Sequence, residues 1–247
     1  FVLLSKKRYV GMKYENDPNR CELSYMGIVL KRRDNAPIVK KVYADVIDSL
    51  MQGRTILESI QCLRGNIKKL ISGGFPLHYL ILSKSLKTHY DNPEQIVHKV
   101  LADRMAERDP GNKPQANDRI PYAYIDVGNK KVSLQGERVE HPDYIRKHNL
   151  KIDASFYISN QISKPVSQIY ALVLEQLPGY KYRNDTDHFS RMRRKLRDEG
   201  RDETKIAKKM EDTRITMATD ILFGQYLRVE KNKREGSRTI TDFFKQN

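Results

Sequence analysis

The residues that could do chemistry here are mostly cations. Lys6-Lys7-Arg8-Tyr9 stands inside an apolar, β-prone run that begins at Phe1. In a strand, alternation puts Lys7 and Tyr9 on one face and Lys6 and Arg8 on the other. Three adjacent cations are costly in a buried sheet unless one face meets an anion. The run therefore reads as a strand along a nucleic-acid groove, with one lysine on base edges and the others on phosphates. A solvated edge strand, whose lysines discourage aggregation, is the competing reading. Lys31-Arg32-Arg33-Asp34 forms a second cluster at a strand-to-helix junction, where Asp34 is expected to cap the helix. Ser83-Lys84-Ser85, expected near a helix end, combines hydroxyl and ammonium donors that suit a phosphate.

Other chemistries find less support. Asp185-Thr186-Asp187 has the spacing of a pair that can hold two metal ions for phosphoryl transfer. Such a pair needs a rigid hairpin with apolar flanks. Its flanks here, Lys181 to Asn184 and His188 to Arg191, read instead as a solvated loop and a helix start with Asp187 near the N-cap. The histidines show no metal-ligand spacing, Cys21 and Cys62 have no activating neighbour, and no glycine-rich phosphate loop is present. No metal or other cofactor is expected on this chain.

The composition points the same way as the clusters. The 247 residues carry 46 Lys+Arg against 31 Asp+Glu, a net charge of +15, with 38% hydrophobic residues. That excess favours polyanionic partners, nucleic acid first. No stretch approaches the roughly 20 apolar residues of a membrane span, so no membrane partner is expected. The scarcity of cysteine fits a reducing, intracellular compartment. The chain starts at Phe1 within an apolar run, and it is expected to be the C-terminal piece of something longer.

These clusters need elements to hold them. Strands are expected over 1–14 and 22–32, around a turn at Asn16-Asp17-Pro18-Asn19. Ile38, Val39, Val42, Tyr43, Val46, Ile47 and Leu50 recur at helical spacing, and Gly53 ends that helix. Ile56, Ile60, Leu63, Ile67, Leu70 and Ile71 mark a second helix, stopped at Gly73-Gly74, and the two should pair. A third runs from Pro93 through Met105, and a hairpin is expected between 120–127 and 131–139. Helices follow near 142–149, 152–163 and 165–177. Beyond Gly179 the chain turns strongly charged. Ile215–Leu227 should pack back on the body, and 231–238 reads as a basic linker. The fold class expected is α+β, mainly helical.

In order and spacing the motifs resemble a family of known proteins. Lys6-Lys7-Arg8-Tyr9, Met26-Gly27-Ile28 and Lys31-Arg32-Arg33-Asp34-Asn35 are similar to the end of the palm of a family B DNA polymerase. Leu82-Ser-Lys-Ser-Leu86, Ala106 to Gly111, Asp118-Arg-Ile-Pro-Tyr122 and His141-Pro-Asp-Tyr144 follow in the family's order. Ile152-Asp153, Tyr157, Asn160-Gln161 and Lys164-Pro165 complete the series, which resembles the thumb of delta-type enzymes, especially those of large DNA viruses. The resemblance covers roughly residues 1–177.

It implies a DNA-directed DNA polymerase whose end of palm (1–34) and thumb (35–179) grip primer-template DNA. A basic helical extension (180–236) and a tail (237–247) follow. Lys6, Lys7, Arg8, Tyr9, Arg32, Arg33, Lys84 and Arg119 become the DNA-binding residues, with Lys7 on the minor groove and Arg32 and Arg33 on primer-side phosphates. Asp118 is expected to have a structural role, capping or orienting Arg119. The catalytic carboxylates, their Mg2+ and the deoxynucleoside triphosphate site would lie upstream, so no catalytic residue is expected in this chain. The site of action implied is wherever DNA is replicated, the host nucleus or a viral replication compartment. One departure from the family is the absence of cysteine after Cys62, where cellular delta-type enzymes carry cysteine-rich metal sites.

The tail resembles a sliding-clamp-binding peptide through Ile240, Phe243 and Phe244 at i, i+3, i+4 spacing, although Ser237 stands where the usual Gln would fall. Two rivals stand beside the polymerase reading. One is a free-standing duplex-binding or clamp-tethering protein without catalysis; the other is a nuclease using Asp185 and Asp187.

Overall fold

The computed structural model describes residues 2–5, 7–14, 20–28, 35–128 and 134–235. Lys6, Arg32, Arg33, Asp34, Ile240, Phe243 and Phe244, with the turn expected at 16–19, lie outside the described residues. The protein is mainly helical, with two small three-stranded antiparallel sheets.

The first sheet contains β1 (Val2–Ser5), β2 (Arg8–Tyr14) and β3 (Cys21–Met26) in that order. The expected single strand over 1–14 is thus broken. Val2 pairs with Val10, Leu3 with Tyr9 and Ser5 with Arg8, so the chain reverses between Ser5 and Arg8. Lys7 takes φ +64, the left-handed conformation that such a reversal requires. No Gly, Asn or Asp marks this turn, which is why turn chemistry does not announce it. Val10 and Ile28 are buried and anchor the sheet in the core.

Helix α1 (Pro37–Met51) begins with Pro37 in its first turn, as expected. Its N-cap is Ala36, which supplies no side-chain bond, so the capping role expected of Asp34 falls elsewhere in position. Ile38, Val39, Val42, Tyr43, Val46 and Ile47 are all buried, the stripe the spacing predicts. A short connection leads to α2 (Ile56–Ile71), which packs against α1. Thr55 and Glu58 form a capping box there: the Thr55 hydroxyl accepts from Glu58 N at 3.2 Å and the Glu58 carboxylate accepts from Thr55 N at 2.8 Å.

The second sheet is where expectation and structure differ most. Ser83-Lys84-Ser85 lies in strand β4 (Leu82–Ser85), not at a helix end. Strand β5 (Arg119–Tyr124) pairs along β4 and meets β6 (Val139–Glu140) only at Ala123 and Tyr124. Of the expected hairpin, residues 129–133 lie outside the described residues; among the described ones β5 forms two residue pairs with β6 and four with β4. Between β4 and β5 lies α3 (Val97–Arg108), which packs on both.

Helix α4 (Pro142–His148) is followed by a nearly continuous helical segment. It comprises α5 (Ala154–Phe156), a π-helical stretch (Tyr157–Ile162), α6 (Ser163–Tyr170) and a 3-10 stretch (Ala171–Gln176). Tyr157 fixes this segment to the second sheet. Its buried hydroxyl donates to the Leu80 carbonyl at 2.6 Å and accepts from Tyr124 N at 3.1 Å. Helices α7 (His188–Asp198) and α8 (Glu203–Glu235) close the chain, so residues 231–235 are helical rather than linker. Ala218, Leu222 and Phe223 of α8 are buried in the core shared with α6, where the apolar segment 215–227 was expected to return.

Candidate nucleic-acid interface

Two groups of the expected cations fall on described residues. The first sits at the β1–β2 turn. Lys7 is exposed at its apex. Arg8 turns inward instead, and its Nη2 donates to the Gln168 side-chain oxygen of α6 at 2.7 Å. Its charge also lies beside the buried Tyr43 phenol, whose pKa burial pushes up to about 12 while Arg8 opposes the rise. Tyr9 is half-buried between Leu3 and Met26 in the sheet register.

The turn is held from below by Gly27, which has φ +62. A Cβ there would stand 2.2 Å from the Lys7 carbonyl oxygen. Only glycine allows that approach, so Met26-Gly27-Ile28 and Lys7-Arg8, distant in sequence, belong to one device.

The second group lies on β4 and β5. The register opposes Ser83 to Pro121, Lys84 to Ile120 and Ser85 to Arg119. Opposed residues share a face and successive residues alternate. Arg119 therefore shares its face with Ser83 and Ser85, while Lys84 shares the other with Leu82, Ile120 and Tyr122. Arg119 Nε donates to Ser83 Oγ at 3.0 Å and Nη2 to the Ser83 carbonyl at 2.9 Å. The guanidinium is thus fixed in the plane of the sheet face with donors still turned outward. The Asp118 carboxylate accepts from Gln115 N at 2.7 Å, a capping bond on the preceding loop, while Arg119 is held by Ser83.

Lys84 is exposed at the strand's end, on the α3 side. There His98 titrates below its ordinary value, first because it is buried and further because of the Lys84 ammonium, with a bond to the Ser85 backbone opposing. Lys84 and Arg119 are therefore neighbours in sequence register but reach solvent from opposite faces.

The charged extension behaves differently from both groups, because many of its cations are satisfied internally. Arg193 and Arg197 both donate to Glu203, joining α7 to the start of α8. Arg201 pairs with Glu199 at 3.0 Å and Lys205 with Asp202 at 3.2 Å. Arg214 makes a bidentate pair with Glu175 at 2.6 and 2.8 Å, donates to the Ala171 carbonyl at 2.9 Å, and lies over the Phe189 ring. Asp185 pairs with Arg191, and Asp187 occupies the N-cap position of α7. Among the described residues no group of three or more His, Cys, Asp or Glu side chains is placed to hold a metal ion. Among the described residues no helix is long and apolar enough to cross a membrane.

This arrangement of helices around small sheets has a solved counterpart. The family B DNA polymerase of the archaeon Pyrobaculum calidifontis superposes with a TM-score of 0.51 over 66% of this chain and 20% of that one, at 18% identity, a likeness of fold. The model of DNA polymerase family B matches residues 1–173, and the chain belongs to that family. A DNA polymerase of Pyramimonas orientalis virus is 44% identical over 246 residues, 99% of this chain and 20% of that protein. The DNA polymerase delta catalytic subunit of Glycine max is 34% identical over 176 residues, 71% of this chain and 16% of that protein. This chain therefore spans about a fifth or less of the length of these relatives. The viral match runs through the charged extension, whereas the plant match is shorter by about the extension's length.

Proposed function

We propose that this chain is the C-terminal part of a replicative DNA-directed DNA polymerase and that it grips the primer-template duplex during synthesis. The family match across residues 1–173 carries this reading. In it, residues 1–34 end the palm, 35–179 form the thumb, 180–236 a helical extension and 237–247 a tail that binds a sliding clamp. Lys7, presented at the apex of a tight turn, probes the minor groove. The acceptors there, purine N3 and pyrimidine O2, are shared by A·T and T·A pairs. A lysine on them senses the shape of a correct pair rather than its identity. Arg119, fixed by Ser83, binds backbone phosphate together with the Ser83 and Ser85 hydroxyls. Lys84 serves a separate phosphate from the other face.

The bond-making chemistry belongs to the preceding part of the enzyme. There, carboxylates would hold Mg2+, which neutralises the triphosphate and activates the primer hydroxyl when bound. What this chain supplies is a hold on the product duplex wherever replication takes place.

Anisotropy of a labelled duplex with a recessed 3′ end tests the reading. Affinity should fall steeply between about 50 and 200 mM salt as phosphate contacts release counterions. Lys7→Ala and Arg119→Ala should each weaken binding, and Lys7→Ala in the whole enzyme should impair primer extension and mismatch discrimination. Salt-independent binding, or extension unaffected by Lys7→Ala, would remove the corresponding part of the proposal.

A further inference from the structure

Residues 154–170 run through the protein and are buried on most sides, with Phe156, Tyr157, Ile158, Ile162, Ser163, Val166, Ser167, Ile169 and Tyr170 all in the interior. Along one narrow line the helix wall reaches solvent, at Asn160, Lys164 and the half-exposed Gln168. Lys164 and Gln168, four residues apart, lie on one face of α6. Gln168 is the residue that accepts from Arg8, so this line ends at the turn that carries Lys7.

Of the charges along the line, Arg8 is held but not neutralised. The Gln168 side chain is a neutral amide, so it fixes the Arg8 guanidinium without cancelling it. Among the described residues no carboxylate pairs with Lys7, Arg8 or Lys164. In α7 and α8, by contrast, Arg191, Arg193, Arg197, Arg201, Lys205 and Arg214 each have a carboxylate partner. A seam of uncompensated positive charge, fixed at Arg8, raises the local concentration of an anion that can lie along it.

We propose that Lys164 is a phosphate contact on the nucleic-acid backbone. It acts as a pair with Lys7, and the Arg8–Gln168 bond braces the two lysines at a set separation. This rests on the duplex-gripping reading above and adds to it a binding residue, Lys164, and a positioning residue, Gln168.

The test titrates a fluorescein-labelled duplex with a recessed 3′ end with the full 247-residue chain at several salt concentrations. Lys164→Ala should lower the slope of log affinity against log salt by about 0.9, the share of one phosphate contact. It should also weaken binding several-fold at fixed salt with the melting temperature unchanged, and Lys164→Arg should retain both slope and affinity. Gln168→Ala should make Lys7→Ala less damaging than it is in the parent chain, a non-additivity that loss of stability alone does not produce. An unchanged slope for Lys164→Ala beside a lowered slope for Lys7→Ala overturns the proposal and leaves duplex gripping intact. Strict additivity of Gln168→Ala and Lys7→Ala overturns the brace. Parent-chain binding that ignores salt overturns both this proposal and the reading beneath it.

Discussion

Gly27 illustrates how a single side chain, or its lack, carries a site. Its φ of +62 and the 2.2 Å approach of a would-be Cβ to the Lys7 carbonyl leave no room for any other residue. Gly27→Ala should cost at least about 1–2 kcal/mol from the left-handed conformation alone, measured by urea unfolding. It should also weaken duplex binding by displacing the Lys7 turn. Arg119 makes a complementary case. Its two bonds to Ser83 use the planar fork of a guanidinium, which an ammonium cannot copy. Arg119→Lys should therefore keep the salt slope of duplex binding and lose affinity, and an Arg119→Lys variant with parental affinity would show that charge alone suffices. Lys7 and Lys84 were legible in the sequence as basic residues among apolar or hydroxyl neighbours, and Arg119 only through the family resemblance. That Lys84 and Arg119 face opposite ways was not, because facing depends on β4–β5 register, a pairing across more than thirty residues of chain.

Among the elements, the helices were the readable part. Periodicity places the buried stripe of α1 residue by residue, and the Thr55–Glu58 pair is a capping signal available in the sequence that the periodic pattern alone passes over. The strands were less readable. Strand β4 is only four residues long and three of them, Ser83, Lys84 and Ser85, are polar in a row, while the reversal at Lys7 lacks any of the residues that favour it. Arg214 ties α8 to the 3-10 stretch through Glu175, whose carboxyl the Arg214 hydrogen bonds hold below its ordinary value. A carboxyl depressed in the folded state adds stability that is present above its ordinary value of 4.5 and is lost as pH falls through the depressed one. Glu175→Gln should accordingly lower stability near neutrality, change little below the depressed value, and so flatten the acid limb of a stability–pH profile. An acid limb identical to the parent's would mean that the pair contributes nothing to it.

For the molecule as a whole, the question is whether the charged region beyond Gly179 is an appendage or part of the body. Phe223 is fully buried with Ala218 and Leu222 in the same core cluster as α6. Phe223→Ala should cost about 3–5 kcal/mol and lower the main unfolding transition seen by circular dichroism. If α8 were independent of the body, that transition would stay in place and a minor one would shift. The net charge of +15 is likewise a property of the whole that local structure redistributes. Part of the positive charge after Gly179 is paired with Asp or Glu of the same region, as at Arg193, Arg197, Arg201 and Lys205, whereas Lys7, Lys164 and Arg119 have no carboxylate partner among the described residues.

By itself the sequence determined the helical content, the apolar stripes, the basic character and the family, because each of these is written in local spacing or in ordered motifs. Only the tertiary structure decided the reversal at Lys7, the dependence of that turn on Gly27, the inward course of Arg8 to Gln168, and the opposite faces of Lys84 and Arg119. The physical reason is the same in each case. These are consequences of which backbone lies beside which, and strand register and long-range side-chain bonds join residues whose spacing along the chain carries no trace of their contact.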